Sequence, residues 1–241
     1  MSEKKRHAAI VLAAGKGSRM KSDVPKQYLI LNGKPVLYYA LRAFEDSFVD
    51  EIVLVTGAGQ ESYCQKEIVE KYGFQKVTHV IAGGKERYDS VYRGICALDG
   101  ADYVYIHDGA RPFIDDALLL RAKENVEQYH ACAAGMPSKD TIKIVDKDGF
   151  VADTPQRKYT WMIQTPQVFD YLLIRDAYEQ LYQHMPEVQI TDDAMVVENY
   201  GNHEVWLYEG SYKNIKITTP ADFYIFRALS DARENSQIFG I

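Results

Sequence analysis

Short apolar runs alternate with helical patterns over the first half of the chain, and this alternation restricts the fold more than any other feature. Residues 8–14 (AAIVLAA) form a continuous apolar run, as is typical of a strand buried on both faces of a sheet. The same criteria predict strands at residues 51–56, 77–81 and 103–107, with helices at residues 37–44, 60–72 and 90–98. Elements in this order form βαβ units, so we predict an α/β fold around a mostly parallel central sheet flanked by helices.

The rhythm changes after Met136. Residues 141–145 and 150–152 are short β-prone runs, and the Asp148-Gly149 pair between them is a turn signal. We therefore expect a β-hairpin arm at about residues 137–160, protruding from a single domain that spans residues 1–241. A hairpin with so few neighbours is marginally stable alone, so the arm is expected to pack on a second subunit in a homodimer. Beyond it we predict a helix, a strand at residues 204–208 and a final helix from about Pro220.

The composition argues against several classes of protein. A formal net charge of −6 over 241 residues disfavours nucleic-acid binding, which needs a basic surface. Cys64, Cys96 and Cys132 match neither a disulfide framework nor a metal-ligand spacing, so we expect thiols in a reducing cytoplasm. The basic start at residues 4–6 leads into a glycine-rich segment rather than a cleavage site, and no run is long enough to cross a bilayer. We predict a cytoplasmic protein without nucleic-acid or membrane partners.

The glycine-rich segment Gly15-Lys16-Gly17-Ser18-Arg19-Met20 directly follows the first predicted strand. Ligands of open α/β sheets bind beyond the carboxyl ends of the strands, and glycines let backbone N–H groups approach phosphate oxygens. The dinucleotide-binding fingerprint fails because its third glycine falls at Met20, and no Gly-Lys-Ser/Thr closes a P-loop. Lys16, Arg19 and the nearby Lys26 suit a triphosphate, although a bare Gly-x-Gly is more often a solvated basic loop.

Further motifs strengthen the functional interpretation. Ala13-Ala14-Gly15-x-Gly17-x-Arg19-Met20 with Pro25-Lys26-Gln27-Tyr28 resembles the signature of the sugar-phosphate nucleotidyltransferases. Later segments narrow the resemblance to the 2-C-methyl-D-erythritol 4-phosphate cytidylyltransferases of the non-mevalonate isoprenoid pathway. Those segments are Gly83-Gly84 with Arg87 and Ser90-Val91, His107-Asp108-Gly109-Ala110-Arg111-Pro112, Asp140-Thr141-Ile142-Lys143, Gln164-Thr165-Pro166-Gln167, Thr191-Asp192-Asp193-Ala194 and Asn214-Ile215-Lys216-Ile217-Thr218. The ordered set covers essentially the whole chain, whereas a single motif would be weak.

The resemblance implies a Rossmann-like nucleotidyltransferase fold and transfer of CMP from CTP to 2-C-methyl-D-erythritol 4-phosphate. The products are 4-diphosphocytidyl-2-C-methyl-D-erythritol and pyrophosphate. A phosphate monoester, with a second pKa of about 6, is largely ionised near neutral pH and attacks the α-phosphorus without a general base. The enzyme then has to align the reactants and stabilise charge on the transferring group. Arg19 and Lys26 match family positions with this role, and Arg157 and Lys216 complete the implied catalytic cations.

For the nucleotide and its metal, the resemblance points to the strand ends. Asp108 ends a predicted strand, where a carboxylate suits Mg²⁺ bridging triphosphate oxygens; taken alone it is equally a helix cap. His107 is interpreted as a hydrogen-bonded strand-end residue rather than a ligand, and Ser90 has the alternative of capping the helix it begins. The implied nucleotide-binding residues are Ala13, Ala14, Gly15, Gly17, Gly83, Gly84 and Ser90.

For the acceptor, the resemblance implies Arg111, Thr141 and Arg157 on the arm side and Thr191 and Lys216 on the other. Family members assemble this pocket across the dimer interface, so an arm would reach its partner's site. Arginine holds a phosphate in a bidentate fork, although each residue taken singly is equally a surface ion pair. Asp192 and Asp193 are predicted to start a helix with Thr191 as its cap.

Three alternative functions differ in what they require. Ribitol-5-phosphate cytidylyltransferases of teichoic acid synthesis share the same overall sequence pattern. The motifs His107-Asp108-Gly109-Ala110-Arg111-Pro112 and Thr191-Asp192-Asp193-Ala194 favour the methylerythritol enzymes. A nicotinamide-dependent dehydrogenase requires a third glycine and an acid ending the second strand, where the chain has Met20 and Thr56. In a non-catalytic nucleotide-binding module we expect Arg19, Lys26 or Asp108 to be replaced, and all three are present. Gly109 replaces a commoner alanine without affecting a proposed ligand.

Overall fold

The computed structural model describes residues 4–15, 17, 20, 24–184 and 189–234, with side chains described up to residue 229. Arg19 and Lys16 therefore lie outside the described residues. The strands, in chain order, are β1 (His7–Ala13), β2 (Ile30–Leu31), β3 (Lys34–Pro35), β4 (Glu51–Thr56), β5 (Val77–Ala82), β6 (Tyr103–Asp108), β7 (Ala131–Pro137), β8 (Ile144–Val145), β9 (Val151–Asp153), β10 (Trp161–Asp170) and β11 (Trp206–Glu209). The predicted strands of the first half are confirmed.

Within the described residues, seven strands form the central sheet in the order β11-β7-β10-β6-β1-β4-β5. β1 pairs in parallel with β4 and with β6, and β4 with β5, as the βαβ rhythm predicts. β10 lies antiparallel between β6 and β7, and β11 pairs in parallel with β7 at the edge. The sheet is therefore mostly parallel with one reversed strand, as expected for the α/β fold.

Helices cover both faces of this sheet. They are α1 (Val36–Glu45), α2 (Glu61–Cys64, continued by a π-helical segment at Gln65–Glu70), α3 (Arg87–Cys96), α4 (Asp116–Tyr129), α5 (Tyr171–His184), α6 (Asp193–Tyr200) and α7 (Pro220–Glu234). Alternate residues of β1 enter opposite cores: Ala9 and Val11 pack with α1 and α4, whereas Ala8 and Ile10 pack with α3 and α5. A strand with two apolar faces is the physical reason for the unbroken apolar run in the sequence.

Helix α3 and strand β11 begin elsewhere than predicted. α3 begins at Arg87 rather than at Ser90, because the Asp89 side chain accepts a hydrogen bond from Glu86 N at 2.9 Å and starts the helix earlier. The predicted strand at residues 204–208 occupies Trp206–Glu209, where it pairs with β7. The final helix begins at Pro220, as predicted.

Two short strands form a hairpin between β7 and β10. β8 and β9 pair antiparallel, and the Asp146 side chain accepts hydrogen bonds from Asp148 N and Phe150 N at 3.0 Å each. Gly149 takes a φ of +90°, which favours glycine. The first strand begins at Ile144 rather than at residue 141, and Phe150 is 73% exposed. The segment thus has few neighbours within its own chain.

The parallel strands place their carboxyl ends at one edge of the sheet. Ala13 ends β1 and Asp108 ends β6, and the loop after β5 begins at Gly83 beside them. Gly109 N donates to Leu12 O at 2.8 Å and Gly83 N donates to Thr56 O at 2.7 Å, so these loops stay close to the sheet. Over the described residues, none of the helices has the length and apolar character needed to span a membrane.

Candidate active site

A cavity of about 480 Å³ opens at this edge of the sheet. Its volume is within the range of about 300–1,000 Å³ that is usual for small-molecule sites. The lining includes the end of β1, Gly15 and Gly17 of the glycine-rich segment, the loop after β5 and the end of β6. Its residues are Leu12, Ala13, Ala14, Gly15, Gly17, Lys26, Gln27, Gly84, Lys85, Glu86, Arg87, Ser90, Asp108, Ala110, Lys216 and Thr218. All of the implied nucleotide-binding residues except Gly83 therefore line one cavity.

Gly83 lies directly behind that wall. A Cβ atom on Gly83 would come within 2.5 Å of Ala14 Cβ and 2.7 Å of Ser90 Oγ. Only glycine lets the loop after β5 approach the end of β1 this closely. Ser90 Oγ accepts from Gly84 N at 3.0 Å and donates to Glu86 O at 3.2 Å. The helix-cap alternative for Ser90 is therefore wrong. Ser90 lies inside α3, which begins at Arg87, and its hydroxyl accepts a hydrogen bond from the glycine loop.

Lys26 lies on the opposite wall of the cavity. Its Nζ donates to Ile217 O at 2.8 Å, and the neighbouring Gln27 Nε2 donates to Ala13 O at 2.7 Å. Gly17 packs against Lys26: a Cβ atom there would lie 3.3 Å from Lys26 Cγ, and its φ is +62°. These contacts attach the Lys26 segment to both β1 and the chain after β11.

Asp108 in the cavity wall lies against three cationic side chains. Its Oδ2 lies 2.8 Å from Lys216 Nζ and 3.7 Å from Arg111 Nε, and its Oδ1 lies 3.5 Å from Arg87 Nε. Burial by itself would raise the pKa of this carboxyl, but the three cations outweigh it and hold the pKa well below its usual range. Asp108 is therefore an anion facing the cavity. The helix-cap alternative is wrong, because the next helix is capped by Asp115.

His107 points away from the cavity and is fully buried. Arg111 O can only accept, which puts the proton of the neutral ring on His107 Nε2, and this nitrogen donates to Arg111 O at 3.0 Å. Nδ1 therefore accepts from the Thr165 hydroxyl at 3.0 Å, and Thr165 Oγ1 accepts from Asp108 N at 3.1 Å. Burial lowers the pKa of His107 to about 4. The interpretation of this residue as a hydrogen-bonded strand-end histidine is confirmed.

Arg87 had no role assigned from the sequence. Its guanidinium lines the cavity and makes a bidentate pair with Asp193, with Nη1–Oδ1 at 3.0 Å and Nη2–Oδ2 at 2.8 Å. Burial opposes the charge of Arg87, but the carboxylates of Asp193 and Asp108 outweigh it and raise the pKa. No local pattern pointed to this pair, because 106 residues separate its members.

The implied acceptor residues divide into two groups. Lys216 lines the cavity, and Arg111 lies behind Asp108, where its Nη1 donates to Asn214 O at 2.7 Å. Arg157 Nη2 donates to Thr141 Oγ1 at 3.0 Å, but both residues are exposed on the hairpin segment and neither lines the cavity of its own chain.

Thr191 is also exposed, and it does not cap α6 as predicted. Its hydroxyl donates to Met195 Sδ at 3.7 Å. Asp192 is the cap, since its Oδ1 accepts from Met195 N at 3.0 Å. Negative charge is favourable at a helix N-terminus, so a carboxylate is a good cap there and occupies the position in place of the threonine. The predicted start of the helix at this point is otherwise confirmed.

Comparisons with known proteins agree on one family. The family model for 2-C-methyl-D-erythritol 4-phosphate cytidylyltransferase (IspD) matches residues 7–230. The enzyme of that name from Lachnospira eligens is 52% identical over 220 residues, covering 91% of this chain and 96% of the relative. The one from Lachnoclostridium phytofermentans is 49% identical over 221 residues, covering 92% and 94%.

Solved structures give the same result. A 4-diphosphocytidyl-2C-methyl-D-erythritol synthase from Anaerococcus prevotii superposes with a TM-score of 0.83 at 36% identity, covering 94% of this chain and 96% of that one. A 2-C-methyl-D-erythritol 4-phosphate cytidylyltransferase from Thermus thermophilus gives a TM-score of 0.74 at 27% identity, covering 92% and 98%. The chain belongs to the 2-C-methyl-D-erythritol 4-phosphate cytidylyltransferase family, the CTP-dependent cytidylyltransferases of the non-mevalonate isoprenoid pathway.

Proposed function

We propose that the cavity at the end of β1 is where this chain joins CMP from CTP to 2-C-methyl-D-erythritol 4-phosphate. The observation that supports this site is the meeting of Lys26, Lys216 and Asp108 around one glycine-lined cavity. An oxygen of the acceptor phosphate attacks the α-phosphorus in line and forms the new P–O bond. The bond from the α-phosphorus to its bridging oxygen breaks, and that oxygen leaves with pyrophosphate. The other product is 4-diphosphocytidyl-2-C-methyl-D-erythritol.

The reaction requires charge stabilisation more than proton transfer. The acceptor phosphate, with a second pKa of about 6, is already largely ionised at neutral pH. His107 is turned away from the cavity and engaged on both ring nitrogens, so it is not a base for this step. Lys26 and Lys216 supply positive charge at the cavity, and Arg19 is proposed as a third cation from the resemblance. Each such cation contributes where negative charge develops in the transition state.

Asp108 fits a role in Mg²⁺ binding. In the described part of the chain no three His, Cys, Asp or Glu residues cluster around a common metal position, so the protein would supply at most two such ligands, Asp108 among them. Mg²⁺ characteristically binds through one or two carboxylates together with substrate phosphates and water. The ion would neutralise charge on the triphosphate. Lys216 lies 2.8 Å from Asp108 here, so we propose that it turns towards the phosphates when CTP enters.

The acceptor site is proposed to be completed by a second copy of the chain. Thr141 and Arg157 lie on the exposed hairpin segment and are hydrogen-bonded to each other, which places a phosphate-binding group away from its own cavity. Ile144, Val145, Phe150 and Val151 on the same segment are 50%, 55%, 73% and 57% exposed. We propose that this arm packs on a partner and brings Arg157 to the partner's cavity, where Arg111 and Thr191 complete the acceptor contacts. The free thiols support a cytoplasmic location.

Pyrophosphate release tests the proposal directly. Purified protein is incubated with CTP and Mg²⁺, with 2-C-methyl-D-erythritol 4-phosphate or ribitol 5-phosphate as acceptor. We expect turnover with the first acceptor, and Lys26→Ala should lower kcat by about 10²–10³-fold while the melting temperature stays close to wild type. Turnover with ribitol 5-phosphate alone would overturn the acceptor assignment. A fully active Lys26→Ala variant would remove Lys26 from the site.

A further inference from the structure

A buried ion pair connects the active-site carboxylate to helix α6. Asp193, the first residue of α6, is completely buried. Its carboxylate accepts two hydrogen bonds from Arg87, at 3.0 and 2.8 Å, and a third from the Tyr178 hydroxyl at 2.7 Å. A buried carboxylate costs free energy unless its oxygens are paired, and this one is satisfied on both oxygens.

The backbone around Asp193 is held as firmly as its side chain. Gln167 of β10 accepts hydrogen bonds through Oε1 from Asp193 N and Ala194 N, both at 2.9 Å. Its Nε2 donates to Asp192 Oδ2 at 2.9 Å. The start of α6 is therefore attached to the central sheet. The position of Asp193 is therefore fixed, and with it the position of the Arg87 guanidinium that it binds.

The group that Asp193 binds is the one that also reaches Asp108. With Nη1 and Nη2 committed to Asp193, the Arg87 guanidinium presents Nε to Asp108 Oδ1 at 3.5 Å. The other oxygen of Asp108, Oδ2, faces Lys216 at 2.8 Å. Arg87 thus occupies one side of the carboxylate at a longer and weaker contact than its pair with Asp193.

We infer that Arg87 is a positioning residue whose pair with Asp193 holds Asp108 in the orientation the reaction uses. The inference rests on the proposed role of Asp108 in the site. Because Asp193 restrains the guanidinium, Arg87 stays at the longer distance of 3.5 Å from Asp108 Oδ1. At that distance it orients this oxygen without forming a close ion pair with it. The pair also fixes the distance between the metal carboxylate and the segment carrying Thr191, which lies two residues before Asp193.

Removing the charge of Asp193 should release Arg87 towards Asp108. In Asp193→Asn the guanidinium loses its bidentate anion, and the nearest remaining carboxylate is Asp108. A tighter Arg87–Asp108 pair competes with a metal ion for the same oxygens. Loss of a group that orients a metal ligand typically costs about 10–100-fold in metal affinity or activity. Tyr178→Phe removes one hydrogen bond from Asp193 and keeps its charge, so a smaller change in the same direction is expected.

The experiment measures metal binding separately from catalysis. Mn²⁺ replaces Mg²⁺, and free Mn²⁺ is followed by electron paramagnetic resonance with CTP present and no acceptor. We expect the Mn²⁺ dissociation constant to rise about tenfold or more in Asp193→Asn and less in Tyr178→Phe, with kcat falling in the same order. Glu51→Gln is the matched control. It also removes a buried carboxylate, paired with Arg6 at 2.9 Å, but at the opposite end of the sheet.

The outcomes separate the two proposals. If all variants bind Mn²⁺ and turn over as wild type does, with only the melting temperature lowered as in Glu51→Gln, Arg87 and Asp193 are merely structural and the inference is wrong. If Asp193→Asn does not fold, Tyr178→Phe decides between the same two results. If wild type turns over but binds no Mn²⁺ with CTP, the proposed metal-binding role of Asp108 is wrong, and the inference that rests on it is wrong as well. If wild type binds Mn²⁺ and CTP without turnover, the acceptor assignment alone is wrong.

Discussion

At the scale of single residues, the site depends on which buried groups carry charge. Asp108 and Arg87 are charged although largely buried, because each lies against groups of opposite sign. His107, the residue next to Asp108, is buried without an anionic hydrogen-bond partner and stays neutral. Of these two neighbouring residues, Asp108 is therefore charged and His107 is neutral. The difference comes from the faces of the sheet on which their side chains lie.

The neutral state of His107 predicts a pH dependence of stability. Burial lowers its pKa from the ordinary value of about 6.5 to about 4 in the folded protein. The unfolded chain binds the proton more readily, so this contribution is fully present above about pH 6.5 and is lost as the pH falls through about 4. The loss amounts to roughly 3 kcal/mol.

Urea unfolding at pH 7 and pH 4 checks this prediction. Wild type should lose roughly 3 kcal/mol more of its unfolding free energy over this interval than His107→Asn does. The comparison between the two proteins cancels the contribution of all other titrating groups to the change in unfolding free energy. Equal losses in both would show that His107 is not the group that titrates.

At the scale of elements, the hairpin arm has few contacts of its own and carries two implied acceptor residues. Arg157→Ala should raise the KM for the acceptor about tenfold or more, because a charge-assisted phosphate contact contributes about 1.5–3 kcal/mol. The KM for CTP should stay within about twofold, since Arg157 does not line the nucleotide cavity. Steady-state kinetics with each substrate varied in turn measures both. Lys158→Ala, next to it on the same exposed turn, is the control. An unchanged acceptor KM would remove Arg157 from the pocket.

Two strands of the central sheet, β7 and β10, were not predicted, and β10 shows why. The segment Gln164-Thr165-Pro166-Gln167 has a proline and two amides, which argue against a buried strand. In the structure each amide is satisfied by a distant element: Gln164 Nε2 donates to Ser211 O at 2.8 Å, and Gln167 binds the start of α6. Where Pro166 lies, the pairing of β10 with β7 is irregular between Ile163 and Gln167. The polar residues serve to attach loops that form the site.

At the scale of the whole molecule, the arm predicts the oligomeric state. Apolar side chains on a segment with so little support are costly to leave in water, so the chain should be a homodimer at micromolar concentration. Sedimentation velocity measures this. Replacing Val145 and Phe150 by glutamate should give a folded monomer with little turnover, because both side chains are more than half exposed in the single chain. A wild-type monomer, or a dimer unaffected by the double substitution, would contradict the role of the arm.

The sequence by itself determined the βαβ frame of the first half and the edge of the sheet at which the cavity lies. The apolar runs place the strand ends, and residues immediately after a strand end have little freedom to lie elsewhere. The end of β1, Ser90 and Asp108, which the resemblance assigns to the nucleotide and its metal, line one cavity in the structure, and their roles stay predictions. The start of α3 and the cap of α6 were missed because they depend on local side-chain to backbone hydrogen bonds, among them those of Asp89 and Asp192.

Only the tertiary structure decided which distant charges meet. The pairing of Arg87 with Asp193 and the reversed direction of β10 have no local signature. Local patterns report periodicity and burial, which act over a few residues. Ion pairs between residues far apart in the chain depend on how the helices pack on the sheet, so they become visible only once the chain is folded.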